Sequence, residues 1–232
     1  MAIDALDTEH GRTWTLTPSE TKAKRAHAVP LSDLALEILA SVTLIKDCPY
    51  VFSTTGKTPV SGFGKIKEHL NARILELIHN QSAATGKDSE KVEPLPEWRF
   101  HDLRRTAATH MGDILGFAPH VIGSVLNHDP KKYMGITHVY ARSDLIAERR
   151  AALSAWARFV QLLTDDAKWT AVDAHLRANP SEDAESSYER REEFRRIIRA
   201  DAKTWRLYVA SLSARTGDNV SHCALRHPYL EG

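Results

Sequence analysis

Polar and apolar residues alternate from Thr13 to Thr17 (TWTLT), a period of two that predicts a strand. Pro18-Ser19-Glu20 turns the chain, and Ala26 to Leu31 (AHAVPL) predicts the returning strand of a β-hairpin. Ser32 is placed to cap an amphipathic helix over Leu34 to Lys46. Tyr50-Val51-Phe52 reads as a short third strand, followed by a loop at Gly56 and Pro59. Helical spacing returns from Ser61 to about His79, with Phe63, Ile66, Leu70, Ile74, Leu77 and Ile78 on the expected inner side. Asn80 to Glu97 is polar, holds Gly and Pro, and is expected to be an exposed loop.

From Trp98 the pattern is helical again, with Leu103, Ala107, His110 and Met111 toward the inside and Gly116 as the stop. A second apolar run, Val121, Ile122, Val125 and Leu126, begins near Pro119 and is ended by Asp129-Pro130. Leu145 to Leu163 predicts a further helix, and Trp169, Val172 and Leu176 another. After the polar break NPSEDAESS, one long helix is expected, with Phe194, Ile197, Ile198, Trp205, Tyr208, Val209 and Leu212 on one stripe. Its opposite face carries Arg190, Arg191, Arg195, Arg196 and Arg199 interleaved with Glu189, Glu192 and Glu193, the pattern of a solvated, salt-bridged face. The apolar stripe requires a partner, either the rest of the chain or another subunit. No internal repeat is present.

These elements define an α+β chain, mostly α-helical, with a small antiparallel sheet and a helical C-terminal extension. Its 232 residues suffice for one sizeable domain with an appendage, and 42% hydrophobic with 26% charged residues is an ordinary globular balance. The net charge of +1 neither requires nor excludes nucleic acid, so any DNA-binding face must come from local clustering. Cys48 and Cys223 are far apart and form no CxxC, which argues against a zinc ribbon or disulfide scaffold and fits a reducing cytoplasm. The acidic start MAIDALDTEH has no apolar core of a signal peptide. The longest apolar segment, Leu34 to Ile45, contains Glu37 and Ser41 and is too short to span a bilayer, so no membrane role is expected.

The chemistry concentrates in one block. His101 and Arg104 are three apart and share a helix face. A guanidinium offers a fixed fork of donors to a phosphate, and an imidazole can exchange a proton near neutral pH. His128 follows the second apolar run, and Tyr140 lies on a third short segment after Thr137-His138-Val139. A tyrosine with a pKa of about 10 is a weak nucleophile unless cationic groups hold its electrophile and stabilise the phenolate. Together the four point to covalent catalysis at a phosphodiester with no metal or other cofactor. The basic hairpin tip, Lys22, Lys24 and Arg25, is either a solvated turn or a set of phosphate contacts, one Lys able to protonate a leaving oxygen. Lys65, Lys67 and Arg73 on the Ser61–His79 helix, and Arg105 beside Arg104, have the same two readings. A competing metal site built from His101, His110, His120, His128 and His138 matches no HExxH or paired-ligand spacing and has no carboxylate placed to join it.

The ordered set HDLRRTAATHM, VIGSVLNH and ITHVYAR resembles the C-terminal catalytic domain of the tyrosine recombinases, the phage integrase family. Within that family it is most similar to the integrases of prophages and genomic islands. The resemblance covers about the first two-thirds of the chain, implying a catalytic domain over residues 1–163 and an extension of unassigned role over 164–232. It implies Tyr140 as nucleophile, with Arg104, His101 and His128 stabilising the transition state or moving protons. The segment TKAKRAHAVPLS is similar to the family's catalytic hairpin and puts Lys22 in the place of its lysine, with Lys24 as the substitute. The gap between His128 and Tyr140 is longer than usual because DPKKYMG is inserted; Tyr133 inside it lacks the preceding Thr-x-x pattern. The implied partner is double-stranded DNA at recombination sites, bound by a homo-oligomer. Lys24, Arg25, Arg105, Lys65 and Lys67 are the expected DNA contacts.

One family feature has no counterpart. Ile3 to Asp7 resembles the segment just after the family's first catalytic arginine, yet Met1 stands too close for that arginine to precede it, and Arg12 does not match. The chain is therefore expected to lack this arginine and the preceding core-binding domain, and to be a poor or inactive recombinase alone. The alternative is an inactive DNA-binding or interaction remnant of a mobile element.

Overall fold

The computed structural model describes residues 1–7, 11–84, 95–129, 145–176 and 183–215. Tyr140, His138 and Cys223, most of the loop expected before Trp98, and part of the expected break after Leu176 lie outside them. The architecture is mostly helical with one small sheet, as the hydrophobic pattern predicts.

Strands β1 (Leu6–Asp7), β2 (Thr13–Leu16) and β3 (His27–Pro30) form an antiparallel sheet in that order. The hairpin pairs Trp14 with Val29 and Leu16 with His27. Pro30, which has no amide hydrogen to donate, closes β3 at the sheet edge, where such a residue is tolerated. The third strand is not Tyr50–Phe52. That segment makes a single bridge, Ala2 with Tyr50, before a turn folds Val60 back on the Phe52 carbonyl at 2.9 Å. Leu6–Asp7 pairs with β2 instead, and two residues are too few to show a period.

Helix α1 (Asp33–Ser41) starts where its cap predicts, the Ser32 hydroxyl accepting from the Ala35 amide at 3.2 Å. It stops five residues earlier than expected, because β-branched Val42 turns to an extended conformation. Helix α2 (Phe63–Ala84) overruns its expected end, and its apolar side is not an inner side among the described residues: Phe63 is 53% and Leu77 50% exposed. Its described anchor is aromatic. Phe63 and Trp98 each meet the Phe100 ring edge-on, at 5.6 and 5.4 Å, and the Trp98 indole donates to Asn71 at 2.8 Å.

Helices α3 (Phe100–Asp113), α4 (Pro119–Val125), α5 (Ile146–Leu163), α6 (Asp166–Leu176), α7 (Ala184–Arg199) and α8 (Ala202–Arg215) complete the described elements. The central helix is α5, which packs on β3, α1, α3, α4, α6 and α7. A single hydrophobic cluster therefore draws Met111, Leu115 and Val121 together with Phe159, Val172, Phe194, Ile198 and Val209. The stripe expected to be one long helix is two. Ala200 turns extended, and the Asp201 carboxylate caps α8 by accepting from the amides of Lys203 (2.8 Å) and Thr204 (2.9 Å). Phe194 and Ile198 on one helix and Trp205 and Leu212 on the next then face the same core. No helix among the described residues is long and apolar enough to cross a membrane.

Candidate active site

Arg99 caps helix α3, and its amide donates to the Asp102 carboxylate at 2.8 Å, so Asp102 closes the first turn. The same carboxylate holds the exposed Arg105 at 3.3 Å. His101 and Arg104 both stand exposed on this first part of α3. The Arg104 guanidinium reaches out of its helix, and its Nη2 donates to the carbonyl of Leu126.

Leu126 belongs to the turn that carries His128. Pro119 opens α4 at its first turn, where a missing amide hydrogen costs nothing. The helix ends in a Schellman arrangement: Asn127 has φ +51°, its amide donates to Ser124 O (3.2 Å), and the His128 amide donates to Gly123 O (2.9 Å). Asparagine is among the few non-glycine residues that enter the left-handed region at modest cost. Two carbonyls of this turn are met by cations: Leu126 by Arg104, and His128 by Arg25 Nη2 at 3.1 Å.

Arg25 arrives from the hairpin loop, which Thr21 shapes. The nearly buried Thr21 hydroxyl donates to the Arg25 carbonyl (2.8 Å) and accepts from the Arg25 amide (3.1 Å), while Lys24 takes φ +51°. Lys22 and Lys24 project from this pinned loop, both exposed. Arg104, the His128 turn and the hairpin loop are thus joined by direct bonds, and His101 shares α3 with Arg104. Lys65 and Lys67 are not joined to them: among the described residues, Lys67 lies 5.5 Å above the Trp98 ring and neither lysine bonds the α3 or α4 turns. Arg12 is engaged elsewhere, with Asp33 at 2.5 Å.

Two contributors are not evident from the sequence motifs. His27 on β3 and Arg149 on α5 are 8% and 6% exposed, and Arg149 Nη1 lies 3.2 Å from His27 Nδ1 while donating to Ala28 O at 2.6 Å. A guanidinium cannot accept, so Nδ1 must, and His27 is the neutral tautomer protonated at Nε2. Burial holds its pKa below the ordinary value, Arg149 adds to this, and Arg25 and Arg104 push the same way; a hydrogen bond to the Val125 backbone opposes them. Arg149 thus sits against an uncharged imidazole, and Arg25 and Arg104 add to a positive field there that favours an anion. One signal points to Arg149: it lies on the stripe of Ala152, Trp156 and Phe159, an inward position for a charged residue.

His110 is occupied by packing. Its Nδ1 lies 3.0 Å from Thr106 O and its ring rests against Trp156 and Phe159. Among the described residues no group of three or more His, Cys, Asp or Glu is placed to hold a metal ion.

A mostly helical domain with a small antiparallel sheet is the architecture of an integrase-type catalytic domain. The family model described as the phage integrase family matches residues 1–145, more than half of the sequence. The chain belongs to that family, the tyrosine recombinases. No curated protein and no solved structure matches it. Membership assigns it in general terms to site-specific recombination, with DNA as the substrate. The match ends one residue before α5, so α5 to α8 lie outside it.

Proposed function

We propose that the chain cleaves and rejoins DNA strands at a specific site through a 3′-phosphotyrosyl intermediate on Tyr140. The observation that carries this reading is the bond from Arg104 to the turn that ends in His128, because it joins two sequence boxes 22 residues apart into one cationic surface. The phenol oxygen of Tyr140 attacks the scissile phosphorus, the P–O bond to the 5′ oxygen breaks, and Lys22 protonates that oxygen. Arg104 and His101 spread the charge of the pentavalent phosphorus, and His128 stabilises it or moves the phenol's proton. Rejoining reverses the step, so the phosphodiester's free energy is conserved and neither nucleotide nor metal is consumed. Lys24, Arg105, Lys65 and Lys67 contact the DNA, which a homo-oligomer in the cytoplasm binds, while Arg25 holds the turn that carries His128.

The test uses a pool of nicked duplexes, randomised around the nick, from which covalently linked protein is recovered under denaturing conditions. An adduct that vanishes in Tyr140→Phe supports the reading. Binding without any adduct would replace it with an inactive DNA-binding module.

A further inference from the structure

We propose that the C-terminal helices are a built-in brace for the α3 helix, with Arg195 and Arg199 as positioning residues for His101 and Arg104. This rests on the reading of those two side chains as catalytic. Its basis is the set of carbonyls at the end of α3. There His110 O accepts from the Ile114 and Leu115 amides, Met111 O from Phe117, and Gly112 O from Gly116. The carbonyls of Asp113, Ile114 and Leu115 remain. Helix α7 meets all three: Arg195 donates from Nη2 to Asp113 O (2.7 Å) and from Nε to Ile114 O (3.0 Å), and Arg199 donates from Nε to Leu115 O (2.7 Å).

The joint is closely fitted. The Arg199 guanidinium lies 4.6 Å over the Phe117 ring. Gly116 has φ +63°, and a Cβ there would come within 2.6 Å of Arg199 Nη2 and 3.1 Å of Arg195 Nε. Arg195 is itself steadied by Glu192 at 2.5 Å. The helix that carries both arginines is held in turn by α5, where Arg158 Nη1 donates to Ile198 O at 2.6 Å.

The shape of α3 makes this joint matter for the site. Met111 and Leu115 at its far end are buried, whereas Leu103 is 58% exposed and His101 and Arg104 stand in the open. The helix is a cantilever fixed at its C-terminal end. At 1.5 Å per residue, Arg104 lies about 14 Å from the clamp, so a small tilt there displaces the guanidinium from the His128 turn. Cations at this end also oppose the partial negative charge of the helix terminus.

The experiment is hydrogen exchange by mass spectrometry on the full chain, paired with single-turnover DNA cleavage. In the double variant Arg195→Gln, Arg199→Gln, peptides over 100–113 are expected to exchange about tenfold faster or more, while those of α5 are unchanged. Arg195→Lys, Arg199→Lys, which keeps the charge but loses the fork, should fall between. Gly116→Ala should reproduce the loosening with both arginines retained, because its Cβ would push them off the α3 carbonyls. The rate of adduct formation should fall about tenfold with DNA affinity held within about twofold, because positioning acts on the chemical step. Unchanged exchange in α3, or equal acceleration in α5, overturns the brace. If the wild-type chain makes no adduct on any DNA, the recombinase reading fails, and the exchange data still decide whether the brace exists.

Discussion

Arg25 of the hairpin loop donates to the backbone carbonyl of His128, 103 positions further along the chain, at 3.1 Å. A residue expected to contact DNA thus ties two parts of the candidate site to each other. Arg105 differs: its side chain is 74% exposed, and its Asp102 partner on the same helix leaves the guanidinium accessible to phosphate.

These two arginines should separate in the salt dependence of DNA binding. A lost phosphate contact lowers the slope of log affinity against log salt by about one. Arg105→Ala is expected to show that drop. Arg25→Ala should leave the slope nearly unchanged and slow adduct formation instead, read by titrating a labelled duplex at several salt concentrations.

Asn127 offers a test of the turn that presents His128. Glycine there keeps the left-handed conformation without penalty, whereas valine must adopt φ near +51° against its branched side chain. Asn127→Val should lose about 1–2 kcal/mol and Asn127→Gly little or none, measured by urea unfolding.

The His27–Arg149 contact predicts a pH dependence of known sign. The pKa of His27 is held below the ordinary value by burial and by Arg149, so above about pH 6.5 the ring is neutral in both folded and unfolded chains. As pH falls below that, the unfolded chain takes up a proton that the folded chain refuses. Stability present at higher pH is then lost until the folded ring protonates. The urea midpoint should fall more between about pH 7.5 and about pH 5.5, which bracket the ordinary pKa, in wild type than in His27→Gln.

Because Phe194 on α7 is 1% exposed in the same cluster as Met111 and Phe159, truncating it should destabilise the whole described chain. Phe194→Ala is expected to cost about 3–5 kcal/mol in a single unfolding transition. A first transition confined to α7 and α8, followed by a separate one, would show that the C-terminal helices fold apart.

Local signals are legible in the sequence and tertiary ones are not. The hairpin, the Ser32 cap and the Gly116 stop each depend on residues a few positions apart, and each stands where expected. The split between α7 and α8 escapes because a helical stripe continues in phase across Asp201, so only the cap marks the break. Arg195 and Arg199 read as part of a solvated face because their acceptors, the carbonyls of α3, lie more than 80 positions away. The face of α2 misleads for the opposite reason: an apolar stripe states that burial is favourable and not what supplies it. His27 and Arg149 are hidden in the same way, each ordinary until the other is seen beside it.

Mapping the covalent link tests Tyr140 as the nucleophile. Trypsin should release residues 133–142 (YMGITHVYAR), a peptide that holds both Tyr133 and Tyr140. Fragmentation of the DNA-linked form, after nuclease trimming, is expected to place the nucleotide on Tyr140. A nucleotide on Tyr133, or an adduct persisting in Tyr140→Phe, would rule Tyr140 out.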